Sequence, residues 1–365
     1  MAGNLFGKII TLKTFGESHG KGIGGILDGI PPGLEINVDA LQKKMDRRRP
    51  GQSGITTARS EPDKVEVLSG VFNGQSTGMP IGLLIFNKDA KPADYENIKT
   101  VFRPSHADYT YSKKYGLRDP SGGGRSSARE TALRVAASYF TDLLLEKYGV
   151  EIIAYVHSVK HLSLPPDFSI RNTSELQENE VRCPDPALAA EMKAMIKEAK
   201  EEGDTLGGTI GCEVFNCPAG LGEPVFDKLQ ADLAKAMLSI NACKGFEYGS
   251  GFQGTLLKGS EHNDEFTSSY DGEITTKTNF SGGIQGGISN GMPIYFKVAF
   301  KPVSTLQKKQ ESVDSEGQKT TVAVKGRHDP CVLPRAVPIV EAMASLVIAD
   351  HLLRNNVYTG DQRQT

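Results

Sequence analysis

Two periodicities divide the chain. Runs of alternating apolar and polar residues, rich in β-branched side chains, fall at 7–13, 64–71, 80–86, 151–159, 209–215 and 294–300 and predict strands. Helical spacing governs 39–48, 128–148, 187–202, 225–240 and 335–353. In the second of these, Ala128, Ala132, Val135, Ala136, Tyr139, Phe140, Leu143 and Leu144 form one broad apolar stripe, which is the pattern of a core-facing helix. The last helix repeats it with Val337, Val340, Ala344, Val347 and Ile348. Two nearly apolar helices predict an internal helical layer covered on both sides. Strands and helices do not alternate regularly, so the expectation is an α+β fold with antiparallel sheets rather than a doubly wound parallel one. No Pro/Ser-rich linker interrupts the chain, so residues 1–365 are expected to form a single domain. The polar stretch 307–319 predicts a mobile loop.

Composition narrows the functional classes. With 365 residues and 38% hydrophobic side chains the chain can bury a large core, and 42 basic against 44 acidic residues leave a net charge of −2. That balance argues against a general nucleic-acid or membrane-surface partner. No bilayer-spanning stretch and no secretory signal are expected, which predicts a cytoplasmic protein. The five cysteines include no Cys-x-x-Cys pair, so neither a disulfide framework nor a metal site is expected.

Chemistry concentrates in four loops. The run Gly122-Gly123-Gly124-Arg125-Ser126-Ser127 leads into the 128–148 helix; glycines allow close backbone approach, and a helix N-terminus favours anions. His19 stands among glycines after the first predicted strand, on a turn where its ring can reach a ligand; read alone, it is a surface histidine. Arg47-Arg48-Arg49 closes a helix before a Pro-Gly stop, and Arg103 and His106 lie three residues apart. Asp329, between His328 and Pro330, reads in isolation as an N-cap of the last helix. Neither a P-loop nor a Rossmann glycine fingerprint occurs. Together the loops predict one site for a small, highly anionic ligand. Positions five apart on a helix diverge by about 140°, so Arg129 and Arg134 are not expected to share a pocket, and Arg129 is preferred.

These blocks, in this order, resemble the chorismate synthase family: GESHG at 16–20, RRRPGQS at 47–53, RPSHAD at 103–108, GGGRSSARETALRVAA at 122–137, KGFEYGSGF at 244–252, SGGIQGGIS at 281–289 and GRHDPCVLPRAVPIVEAM at 326–343. The resemblance implies conversion of 5-enolpyruvylshikimate-3-phosphate to chorismate by anti-1,4-elimination of phosphate, with reduced FMN as cofactor. It implies a β-α-β sandwich, with antiparallel outer sheets around an internal helical layer, assembled as a homotetramer. In catalysis, it implies that His19 assists the leaving phosphate, His106 protonates or hydrogen-bonds the flavin, and Asp329 helps the flavin act as base. Flavin contacts are implied at Arg125, Ser126, Ser127, Asn241, Ala242, Gly286, Lys301, Pro302, Val303, Ser304, Thr305 and Arg327, and substrate contacts at Arg48, Arg103 and Arg129. The family commonly carries arginine where this chain has Gly54, which argues against NADPH binding unless Arg59 compensates. No flavin-reductase region is visible, so an external reductant is implied. Two other readings are an RNA-binding protein, disfavoured by the net charge, and a Mg²⁺-dependent phosphotransferase, disfavoured by the lack of clustered carboxylates at the glycine loop.

Overall fold

The computed structural model describes residues 3–51, 53–56, 61–88, 99–120, 122–170, 179–268, 272–323 and 329–359. A first antiparallel sheet contains β1 (Leu5–Phe6), β2 (Thr11–Gly16), β3 (Gly22–Asp28), β4 (Val65–Val67) and β5 (Ile81–Phe86), in the order β1-β2-β3-β5-β4. Alternation sets its faces: Leu12 and Thr14 of β2, and Ile81, Leu83 and Ile85 of β5, point into the core, whereas Lys13 and Phe15 point out. Strand β3 was not foreseen because its glycines read as turn. A Cβ at Gly24 would meet the Phe15 ring at 2.3 Å, so the glycine makes room for that ring on the outer face. The predicted strand at 7–13 begins later, because the backbone N–H groups of Ile9 and Ile10 donate to Asp350 at 2.7 and 2.8 Å and hold that stretch as a turn.

A second antiparallel sheet contains β6 (Glu151–Val159), β7 (Leu162–Ser163), β8 (Gly208–Phe215), β9 (Cys243–Tyr248) and β10 (Ile294–Phe300), ordered β9-β10-β8-β6-β7. Its inner face carries Ile210, Cys212 and Val214 beside Phe296, Val298 and Phe300. Edge strand β9 was not predicted from sequence.

Six longer helices complete the fold: α1 (Val38–Asp46), α2 (Asp108–Tyr115), α3 (Thr131–Glu146), α4 (Pro186–Glu201), α5 (Leu229–Leu238) and α6 (Leu333–Thr359). Helix α3 lies against β2, β3 and β5 of the first sheet and against α6, which in turn lies on β6 and β8 of the second. Each fully buried Leu, Val or Phe in this seam contributes about 1.5–3 kcal/mol. Asn37 caps α1 by accepting from Asp39 and Ala40 N–H, and the helix ends with Arg47 as its C-cap, where the Pro-Gly stop predicted it.

Three expectations are corrected. Helix α6 is long and apolar enough to cross a membrane, contrary to the sequence reading, but 94% of its most apolar window is buried inside the protein, as in a core helix. The stretch expected as a mobile loop forms a hairpin of β11 (Gln310–Val313) and β12 (Lys319–Val322). That hairpin docks on the segment before His106 through Phe102 N–H donating to the Val313 carbonyl at 3.1 Å. Asp329 does not cap α6, which starts four residues later; it pairs with Arg335 in the helix's first turn instead.

Candidate active site

A cavity of about 1280 Å³ opens between the first sheet, the 106–119 segment and the glycine run. Its walls include Thr14, Gly16 and Glu17 from β2 and its exit, His106, Asp108, Tyr111 and Arg118, and Gly122 to Ser126. Arg134 and Met343 add residues from α3 and α6, and Lys235 and Ser239 come from α5 and its C-cap.

The glycine run does not enter α3 directly. It makes two short 3-10 turns, Gly124–Ser126 and Ala128–Glu130, before the α-helix starts at Thr131. Ser127 caps the second turn, its hydroxyl accepting from Arg129 N–H at 3.3 Å. Gly122 is required for packing: a Cβ there would sit 2.3 Å from His19 Nδ1. His19 therefore rests on the backbone of the same loop that lines the cavity. Its Nδ1 lies 2.9 Å from Ser18 Oγ, and Asn87 Nδ2 braces the loop by donating to the carbonyls of Glu17 and Gly20 at 3.0 and 2.9 Å.

Arg125 is a wall residue rather than a free fork. Its guanidinium donates to Thr14 Oγ1 at 2.7 Å, Asn4 Oδ1 at 3.0 Å and the Gly16 carbonyl at 3.2 Å. Ser126 is held by its hydroxyl to the Gly123 carbonyl, and its own carbonyl accepts from Asn241 Nδ2 at 2.7 Å. Asn241 Oδ1 is buried with no hydrogen bond. The next residue, Ala242, accepts from Lys301 N–H at 3.0 Å, and Lys301 Nζ reaches the Ser105 carbonyl at 3.1 Å. Burial, with Lys244 nearby, lowers the Lys301 pKa. Val303 is fixed through its carbonyl by Thr205 Oγ1 at 2.8 Å, and Pro302 packs at Gly207. Hydrogen bonds thus link Ser126 to Asn241, and Ala242 through Lys301 to the His106 loop; of these, Ser126 and His106 line the cavity, and Ser304 and Thr305 follow Lys301 in sequence.

Gly286 stands apart from these residues. Its neighbour Gly287 packs on Lys228 and accepts from Leu229 N–H at the start of α5, whereas Asn241 follows the other end of that ten-residue helix, about 15 Å along. Arg327 and Arg59 lie outside the described residues. Gly54 accepts Lys200 Nζ at its carbonyl, 2.7 Å away.

A buried charge network adjoins the His19 loop. Arg48, 1% exposed, donates to Asp63 at 2.7 Å and to the Ala128 carbonyl at 3.0 Å. Arg129 pairs with the other oxygen of Asp63, lies 3.9 Å from Glu61, and donates through Nε to Asn87 Oδ1 at 2.9 Å. Arg335 reaches back to Asp329 and towards the Arg48 carbonyl. Burial pulls the Arg48 pKa down to about 10, and Asp63 only partly offsets it. Burial pushes the Asp63 carboxyl up, but Arg48 and Arg129 together hold it below its ordinary range. Arg48 Nε and Arg129 Nη2 remain buried without a hydrogen bond.

Arg134 lines the cavity, whereas Arg129 is not among its lining residues and lies in the buried charge network. Arg134 is aimed by Glu130 at 3.0 Å and by Ser239 at 2.7 Å. Arg103 was read as facing the ligand; its fork is instead closed on Asp108, at 2.8 Å from Nε and 2.7 Å from Nη2. Sequence reasoning did not single out Asp63, Asn87, Asp108 or Arg118, and it weighed Arg134 only to prefer Arg129. Of the first four, only Asp108 left a signal, as an acid two residues beyond a loop histidine.

The family model for chorismate synthase matches residues 10–353. A protein of Christiangramia forsetii named chorismate synthase is 60% identical over 355 residues, covering 97% of this chain and 99% of its own. Another of that name, from Synechocystis sp., is 55% identical over 353 residues, with 96% and 98% covered. A solved structure described as a crystal structure of chorismate synthase matches with a TM-score of 0.75 at 32% identity, covering 95% of this chain and 93% of that one.

Proposed function

The chain belongs to the chorismate synthase family, and we propose that its open cavity takes the reduced flavin while the buried arginine network beside it takes the anionic substrate. It is a lyase of aromatic amino acid biosynthesis that converts 5-enolpyruvylshikimate-3-phosphate to chorismate and phosphate. The family implies a flavin, and two features of this chain fit FMN. The cavity exceeds the roughly 300–1,000 Å³ of ordinary small-molecule pockets. Beside it, Asn241 Oδ1 is a buried acceptor lacking a donor. When bound, reduced FMN supplies electron density to an electron-poor ring and a nitrogen able to take a proton.

The chain's own residues hold and move charge around that group. Arg125, Ser126 and Ser127, with Asn241, Ala242 and Lys301 to Thr305, form its contacts. Gly286 and Arg327 are carried over from the family pattern. Arg48 and Arg129 receive the substrate's anionic groups through the guanidinium nitrogens that lack partners. Arg103 is left out of the substrate set because Asp108 occupies its fork. His19 donates a proton to the departing phosphate, and His106 holds a hydrogen bond or proton at the flavin. Asp329, fixed by Arg335, supports the proton acceptor.

The contact series of sheet, α3, α6 and sheet supports the β-α-β sandwich and a single domain. Exposed Phe226, Phe252, Leu256 and Ile274 support burial in a homotetramer. The reading also puts the protein in the cytoplasm, with flavin reduced by an external source.

The observation that carries the proposal is the meeting of three loops on one cavity, with His106, the His19-bearing turn and the Arg125–Ser126 wall around it. The test is chorismate absorbance under anaerobic conditions with and without dithionite-reduced FMN. Formation only with reduced flavin is expected; steady formation with flavin rigorously excluded would defeat the reading.

A further inference from the structure

The carboxylate of Asp108 is the most heavily hydrogen-bonded group at the cavity. Its Oδ1 receives Arg103 Nη2 at 2.7 Å, His106 Nδ1 at 2.8 Å and Arg118 Nη1 at 2.8 Å. Its Oδ2 receives Arg103 Nε at 2.8 Å and Arg103 N–H at 3.0 Å. The residue is 2% exposed. Burial pushes its carboxyl up, but the hydrogen bonds from Arg103 and His106 hold it far below the usual carboxylate range. An ionised carboxylate only accepts, so the ring nitrogen facing it must carry the hydrogen.

We propose that Asp108, clamped by Arg103 and Arg118, is the positioning residue of His106, holding hydrogen on Nδ1 and so leaving Nε2 as the nitrogen that serves the cavity. Arg103 then acts through Asp108 rather than on the substrate. Two guanidinium groups fix the position of the carboxylate, and the carboxylate in turn fixes the ring. The other charged groups around the ring are Lys301, held at the Ser105 carbonyl, and Glu17, Lys114, Asp119 and Arg125 on the cavity walls. The contact of Nδ1 with the Asp108 carboxylate is what sets the tautomer.

The inference rests on the proposed role of His106 at the flavin, and the experiment separates the two. Nitrogen-15 spectra of the full chain without flavin, with the His106 signals assigned by their loss in His106→Ala, report the tautomer directly. The neutral ring is expected to be protonated at Nδ1 in the unmutated protein and to become mixed in Asp108→Asn. A ring protonated mainly at Nε2 in the unmutated protein overturns the inference, whether or not the variant folds. In turnover, Asp108→Asn is expected to lower kcat about 10-fold or more with substrate KM unchanged, within the ~10²–10⁴ that a positioned acid or base contributes. Normal kcat in Asp108→Asn with the tautomer lost also overturns it. Normal kcat in His106→Ala would instead remove the reading of His106 on which it rests.

Discussion

Two pairs of arginines border the same region and live in different physical worlds. Arg48 and Arg129 are almost wholly buried and share the two oxygens of Asp63, with Glu61 beyond. Arg125 and Arg134 keep 24% and 15% of their side chains exposed and border an open cavity. A buried guanidinium must be compensated before any ligand arrives, since its desolvation costs several kcal/mol. The first pair is therefore part of the framework, with single nitrogens left over for an anion. The second pair gives shape and partial charge to a space that a ligand can fill. Residue type alone does not separate the two; the acids that fold against them do.

The largest expected effect comes from breaking the buried side of this comparison. Arg129→Ala takes from buried Asp63 one of its two guanidinium partners, leaving only Arg48, and should cost about 3–5 kcal/mol of stability, read from urea unfolding. A loss under about 1 kcal/mol would mean that Asp63 is not relying on Arg129. Next come the two histidines. His19→Ala and His106→Ala should keep the fold, and each should slow turnover by about 10²-fold or more, and a near-normal rate in either removes that residue from the mechanism.

Acid should act on the buried network as well. The folded Asp63 carboxyl is held below its ordinary value, so its contribution to stability is complete above the unfolded pKa of about 3.9. It is lost as pH falls through the folded value. Stability followed by urea midpoint should drop as pH falls below about 4, and a flat profile there contradicts the pairing. The smallest effect is expected on the cavity wall. Arg134→Ala removes an i,i+4 pair with Glu130 and a bond to Ser239, which should cost no more than about 1 kcal/mol of stability while weakening flavin binding. Equal damage to stability from Arg134→Ala and Arg129→Ala would erase the distinction drawn between the two pairs.

Periodicity in the sequence carried the frame well wherever packing follows it. Strands 151–159 and 294–300 appear at their predicted bounds, and the apolar stripes belong to α3 and α6, two helices that pack on each other. It failed where one residue's conformation answers to a distant partner. Gly24 belongs to a strand because the Phe15 ring lies across it, and residues 7–10 are a turn because Asp350 binds their N–H groups. Helix α2 escaped because it is short and weakly amphipathic. At the site, the loops that converge were legible as motifs with histidine, arginine and glycine. Which arginine faces the cavity was not, because that depends on Asp63 and Asp108, residues far from Arg129 in sequence or hidden in a helix start.

The central claim is that the cavity walls, not the buried network, hold the flavin. Amide hydrogen exchange of the full chain with reduced FMN alone tests it most directly, since it needs no turnover. Protection is expected to rise across 103–119 and 122–127, while amides around Arg48 and Asp63 change only when substrate is added as well. Protection by FMN alone confined to the Arg48 and Asp63 segments, with the glycine run unchanged, would contradict it.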